Sequence, residues 1–87
     1  MSYTVLQTRR FARQYKKLHD NVASEVDAAV MRVAAQPGIG ERKKGDLAAL
    51  HVHKFHSQRQ LYLLGYTVDD GVRLISLGAV GSHENFY

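Results

Sequence analysis

Eighty-seven residues allow one domain and exclude two independent hydrophobic cores. Hydrophobic residues make up 45% of the chain, enough to fold it, and the absence of cysteine excludes disulfides and thiolate zinc sites. The net charge of +4 suits an acidic or phosphate-bearing partner, while the lack of an 18-residue apolar run or an apolar N-terminal stretch argues against a membrane span or signal peptide and predicts a cytoplasmic protein.

In chain order, Tyr3-Thr4-Val5-Leu6-Gln7 carries the β-branched and aromatic residues of a short strand. Thr8 is placed to cap a helix from about Arg9 to Leu18, with Phe11, Tyr15 and Leu18 on its apolar side. Arg9, Arg13, Lys16 and Lys17 fall largely on the other side. This basic face suits a phosphate backbone or a protein partner, and equally a solvated surface. His19-Asp20-Asn21 marks a break. A second helix follows, with Val22, Val26, Ala29, Val30 and Val33 as its stripe, and stops before Pro37-Gly38. A short turn between the helices predicts an antiparallel pair.

Residues 37–46 read as a glycine-rich loop with a basic cluster at Arg42, Lys43 and Lys44. Gly38-Ile39-Gly40 is too short for a phosphate loop. The pattern then becomes extended, with one strand from Leu47 to His56 and a second from Arg59 to Val68. Asp69-Asp70-Gly71 is a hairpin turn, and Val72 to Gly78 is the next strand. The expected fold is therefore α+β, in the order β-α-α-β-β-β. An antiparallel meander is covered on one face by the helical pair, and the first strand adds to a sheet edge.

Chemistry-bearing residues concentrate in the second half. His51, His53, His56 and His83 are four of the five histidines, with Lys54 and Arg59 among them. Alternation puts His51, His53 and Phe55 on one strand face and Leu50, Val52, Lys54 and His56 on the other. With Leu50 and Val52 taken as core residues, His51 and His53 are expected on the side away from the helices. A bulge near Lys54 would bring that lysine round to join them. Imidazoles beside fixed cations suit metal-free cleavage of RNA. One group takes the 2′-hydroxyl proton, cations steady the pentavalent phosphorus, and another group protonates the departing 5′-oxygen. His51 and His53 also share a face as metal ligands would, but no carboxylate lies near them in sequence, so neither metal nor cofactor is expected. In the terminal segment a helical turn would set His83 and Tyr87 on one side, with Glu84 able to orient an imidazole and Phe86 docked on the core. Tyr62 and Tyr66 share a strand face and read as sheet packing.

Four segments carry a likeness to a known family: Lys44-Gly45-Asp46-Leu47, Val52-His53-Lys54-Phe55, Gln60-Leu61-Tyr62-Leu63-Leu64 and His83-Glu84-Asn85-Phe86-Tyr87. Together they resemble the RelE/ParE superfamily of bacterial toxins, over nearly the whole chain and in the same order of elements. The resemblance implies one half of a type II toxin–antitoxin pair, with a cognate antitoxin as partner. RelE-like members cut messenger RNA on the ribosome without a metal. Carried over, His51, His53, Lys54, His83 and Tyr87 become the catalytic set, His83 as a proton-transfer group and Tyr87 as a base-stacking or phosphate contact. Arg59, Lys43, Lys44, Arg13 and Lys17 become phosphate contacts. The sequence departs from the RelE pattern at two arginine positions: Leu63 stands at one, with Arg59 as a possible substitute, and Ala79-Val80-Gly81 stand at the other. Relatives also continue past the aromatic into a basic helix, whereas this sequence ends at Tyr87. These departures keep two alternatives open: a ParE-like, non-nuclease toxin that poisons DNA gyrase, and a degenerate member that only binds its antitoxin.

Overall fold

The computed structural model describes residues 3–43 and 49–86. Its elements are β1 (Thr4–Gln7), α1 (Arg9–Lys16), α2 (Asp20–Ala35), a 3-10 turn (Pro37–Ile39), β2 (Glu41–Arg42), β3 (His51–Ser57), β4 (Gln60–Asp69), β5 (Leu74–Ser82) and α3 (His83–Phe86). The five strands form one sheet in the order β1-β5-β4-β3-β2. All pairs are antiparallel except β1 with β5, which run parallel from Thr4↔Leu74 to Gln7↔Leu77. The α+β reading stands, with two elements added to the expected order: β2, drawn from the expected loop, and α3.

Local chemistry accounts for the boundaries. Thr8 caps α1, its hydroxyl oxygen accepting the Phe11 N–H at 3.2 Å. The Thr8 hydroxyl also lies 2.9 Å from the Leu77 carbonyl, to which it donates, so the cap is tied to β5. The Gln14 side chain accepts the Val80 N–H at 2.8 Å and pins the last turn of α1 to the same strand. Tyr15 links the two helices by donating to the Asp27 carboxylate at 2.7 Å. Pro37 opens the 3-10 turn that ends the helical segment.

The sheet has a core on each side. Phe11, Val22, Val26, Ala29 and Val33 of the helices pack with Phe55, Tyr62, Leu64, Tyr66, Ile75, Leu77 and Val80 on one face. On the other face Val52, Leu63, Ala79 and Phe86 form a smaller cluster, flanked by Leu50 and Leu61. Phe86 closes against Gly65, where an added Cβ would lie 2.9 Å from the ring. The terminal aromatic is thus held on the sheet by roughly 2 kcal/mol of apolar burial.

Three sequence expectations are corrected. The strand expected from Leu47 to His56 runs from His51 to Ser57. Its predicted start, Leu47, lies with residues 44–48 outside the described residues, and Ala49 and Leu50 precede the strand. The last strand extends to Ser82 rather than Gly78, because Ala79, Val80 and Gly81 pair with Gly65, Leu64 and Leu63. The second strand of the meander, expected from Arg59, begins at Gln60, because Ser57 pairs with Gln60 and the hairpin turns on Gln58 and Arg59.

Candidate functional site

The face of the sheet that each residue occupies decides which side chains can cooperate. The β3–β4 pairing runs unbroken from His51↔Tyr66 to Ser57↔Gln60, with no bulge near Lys54. The one irregularity of the meander falls between β4 and β5, at Gly65/Tyr66. Alternation therefore holds along all of β3. Phe55 belongs to the helix-side core, and so His51 and His53 share that side. Their surroundings agree with this placement. His51 stacks on Tyr66 with ring centroids 5.3 Å apart, and His53 lies 6.0 Å from Phe55. The His51 Nδ1 and His53 Nε2 atoms are buried without a hydrogen-bond partner. Burial, and secondarily the Arg32 guanidinium of α2, hold the His53 imidazole below its ordinary pKa. His51 and His53 thus face the helices, contrary to the sequence expectation, and lie across the sheet from Lys54.

Lys54 and His56 occupy the opposite face. Lys54 pairs with Leu63 and His56 with Leu61, and both leucines belong to or flank the smaller core. Both polar side chains are exposed. Lys54 is drawn toward the β2 edge, its Nζ 4.0 Å from Glu41 Oε2, while Lys43 approaches the other carboxylate oxygen, Oε1, at 3.9 Å. Leu63 pairs in turn with Gly81, where an added Cβ would meet open space. The row Lys54–Leu63–Gly81 across β3, β4 and β5 therefore ends without a side chain at its β5 side. Ser82 is the partner of Tyr62, so His83, one residue on, comes beside Leu61. There Arg59, Gln60, Leu61, Ser82, His83 and Glu84 line a cleft of about 260 Å³.

The hairpin delivers Arg59 to this cleft at a conformational cost. Gln58 and Arg59 both have positive φ, 52° and 65°. That pair of left-handed residues defines the tight turn whose twist matches the strands, but it is usually built from Asn and Gly.

Of the residues singled out from sequence, Arg59 and His83 thus come together in one cleft at the end of the sheet, and Lys54 stands mid-strand on the sheet face opposite the helices. His51 and His53 do not join them. Arg13 and Lys17 are exposed on and just beyond α1, Lys43 lies near Glu41, and Lys44 and Tyr87 fall outside the described residues. His56 is the residue that sequence reasoning missed. Its signal was its i, i+2 spacing from Lys54, which becomes decisive once Phe55 is known to face the helices. Among the described residues no group of three or more His, Asp or Glu side chains could hold a metal ion, and no helix is long and apolar enough to cross a membrane.

Comparison with known proteins places this geometry in context. A family model described as ParE-like toxin of type II bacterial toxin-antitoxin system matches residues 5–87. No curated protein sequence gives a significant match. Among solved structures, the chain is similar to one from the RelBE2 toxin–antitoxin complex of Mycobacterium tuberculosis, with a TM-score of 0.80 and 22% identity over 95% of this chain and 100% of that one. It is also similar to one from the intact Escherichia coli RelBE complex, with a TM-score of 0.77 and 22% identity over 92% and 95% of the two chains. An archaeal RelE–RelB complex from Pyrococcus horikoshii gives a TM-score of 0.68 at 14% identity over 98% and 99%.

Proposed function

This chain belongs to the ParE-like toxin family of type II bacterial toxin-antitoxin systems, and from that membership we propose that it is a metal-independent endoribonuclease acting on messenger RNA at the ribosome. The observation that carries the proposal is the cleft at the end of the sheet that Arg59 and His83 line together, with Lys54 and His56 exposed on β3 on the sheet face to which Leu61 of that cleft belongs.

The chemistry assigns each residue type a role. One of the two imidazoles, His56 or His83, takes the 2′-hydroxyl proton as O2′ attacks phosphorus. The other gives a proton to O5′ as the P–O5′ bond breaks, leaving a 2′,3′-cyclic phosphate and a 5′-hydroxyl. Lys54 and Arg59 stabilise the charge that builds on the non-bridging oxygens. Tyr87 keeps its proposed role as a base-stacking contact.

A cognate antitoxin is the proposed protein partner. The RelE relatives were solved as complexes with RelB, and the exposed cations of α1 offer an acidic segment a complementary surface. A second reading, the gyrase poison without nuclease activity, is favoured by the ParE-like character of the matching family model and by the buried Leu63 beside Lys54, where RelE carries an arginine.

Induction of the chain in cells separates the two readings, with transcript 5′ ends mapped and gyrase supercoiling assayed in parallel. Cuts within translated messages that disappear with His83→Ala support the nuclease. Inhibited supercoiling without cuts refutes it in favour of the gyrase poison.

A further inference from the structure

The cleft that holds Arg59 and His83 continues into a second one. Gln60, Ser82 and Glu84 line both. The second, of about 310 Å³, rounds the end of the sheet to the far end of α1, where Gln14 and Lys17 meet Tyr62 and Asn85. Its lining is unlike that of the first. Val80, Gly81, Leu18 and the Tyr62 ring give it an apolar floor, and three carboxamides and one carboxylate stand around that floor.

The hydrogen bonds orient two of the carboxamides. The atom of Gln14 that meets the Val80 N–H must be its oxygen, so its NH2 group is the one left for the cleft. Tyr62 donates to the Gln60 oxygen at 3.3 Å, which leaves Gln60 its NH2 group in the same way. The wall therefore sets amide donors near the Glu84 acceptor, over a surface with an aromatic floor. This combination matches the edge of an unstacked nucleobase, which offers acceptors beside an exocyclic amine.

Resting on the nuclease reading above, we propose that the second cleft is a base-reading subsite. It holds the nucleotide next to the scissile phosphate: Gln14, Gln60 and Asn85 meet the ring acceptors, Glu84 accepts from an exocyclic amine, and Lys17 meets the following phosphate. The base it favours carries an amine, so cytosine, adenine or guanine is preferred to uracil, which has none.

The test titrates the full chain with each of the four nucleoside 5′-monophosphates while backbone amide signals are followed by NMR. Shifts confined to Leu18, Gln60 and residues 80–82 are expected, at about tenfold lower concentration for the amine-bearing nucleotides than for uridine monophosphate. Lys17→Ala weakens all four nucleotides alike, and Glu84→Gln brings uridine level with the rest. Both positions are exposed, and circular dichroism of each variant checks that the fold is kept. Signals in this region that do not move, or that move equally for all four nucleotides, overturn the proposal. A second arm maps RNA ends for the wild-type chain and for Asn85→Ala. A broadened base distribution beside the cut supports the subsite, and an unchanged one refutes it. Base-selective NMR shifts from a chain that cuts no RNA would sink the nuclease reading while leaving the subsite standing.

Discussion

Replacing Arg59 with glycine is expected to make the protein more stable and less active at once. Arg59 sits at φ 65°, in a region that costs an L-residue about 1–2 kcal/mol. Its side chain is exposed and lines the cleft, so truncation forfeits no core packing. Glycine removes the strain but raises the entropy of the unfolded chain, which takes back about 0.5–1 kcal/mol. The net gain is about 0.5–1 kcal/mol, and a domain of this size converts that to a rise in Tm of roughly 2–8 °C. Gln58→Gly, at φ 52°, should gain a similar amount. The two variants diverge in activity. Arg59→Gly removes a cation from the proposed site and should slow RNA cleavage on the order of a hundredfold, the scale of losing one preorganised charge-stabilising group. Gln58→Gly should leave the rate near that of the parent. Calorimetry and a single-turnover cleavage assay on the same preparations read both quantities. A lower Tm for both glycine variants would refute the strain argument, and an equal rate for Arg59→Gly and the parent would refute the role given to the guanidinium.

Further outcomes follow from other parts of the structure. His56→Ala and His83→Ala should each cut activity by about 10²-fold or more, whereas His51→Ala, on the far face, should not; cyclic-phosphate product measured by chromatography distinguishes them. Gly40→Ala would place a Cβ 2.3 Å from the hydroxyl of Tyr66, a fully buried ring that donates to the Pro37 carbonyl and accepts the Gly40 N–H. Overpacking and the disturbed hydrogen bonds together should cost about 3 kcal/mol by urea unfolding, with Gly38→Ala, where nothing lies within 4 Å, as a near-neutral control. Because the folded-state pKa of His53 is depressed below 6.5, the unfolded chain takes up its proton first as pH falls. Stability should therefore be lost from about pH 6.5 down to the folded pKa and then level off. His53→Phe should remove that part of the acid sensitivity, and an unchanged pH profile in the variant would contradict it.

Much of the fold could be read from the chain, and the reasons for the failures are physical. Thr8, the valine stripe of α2 and the Asp69-Asp70-Gly71 turn each carry a local signal that the structure honours. Alternation in β3 was legible, but its direction was not. Val52 and Phe55 are both buried, on opposite faces, so an apolar pattern cannot say which side the helices cover. That ambiguity sent His51 and His53 to the wrong face and hid His56. The turn between β3 and β4 was legible, but its centring on Gln58 and Arg59 was not, because neither residue is of the type that usually accepts positive φ. The end of β5 was lost because Gly78-Ala79-Val80-Gly81 resembles a loop until its partners on β4 are known.

The parallel pairing of β1 with β5 joins residues separated by 70 positions along the chain. A nascent polypeptide emerging N-terminus first can form its helices early, but its first strand stays without its partner until β5 has been made. Completion of the sheet is thus deferred until β5 has been synthesised. A ribosome that stalls or terminates before β5 would release a polypeptide with no Ser82, His83 or Glu84 to wall the cleft, so prematurely ended copies should be harmless to the cell that makes them.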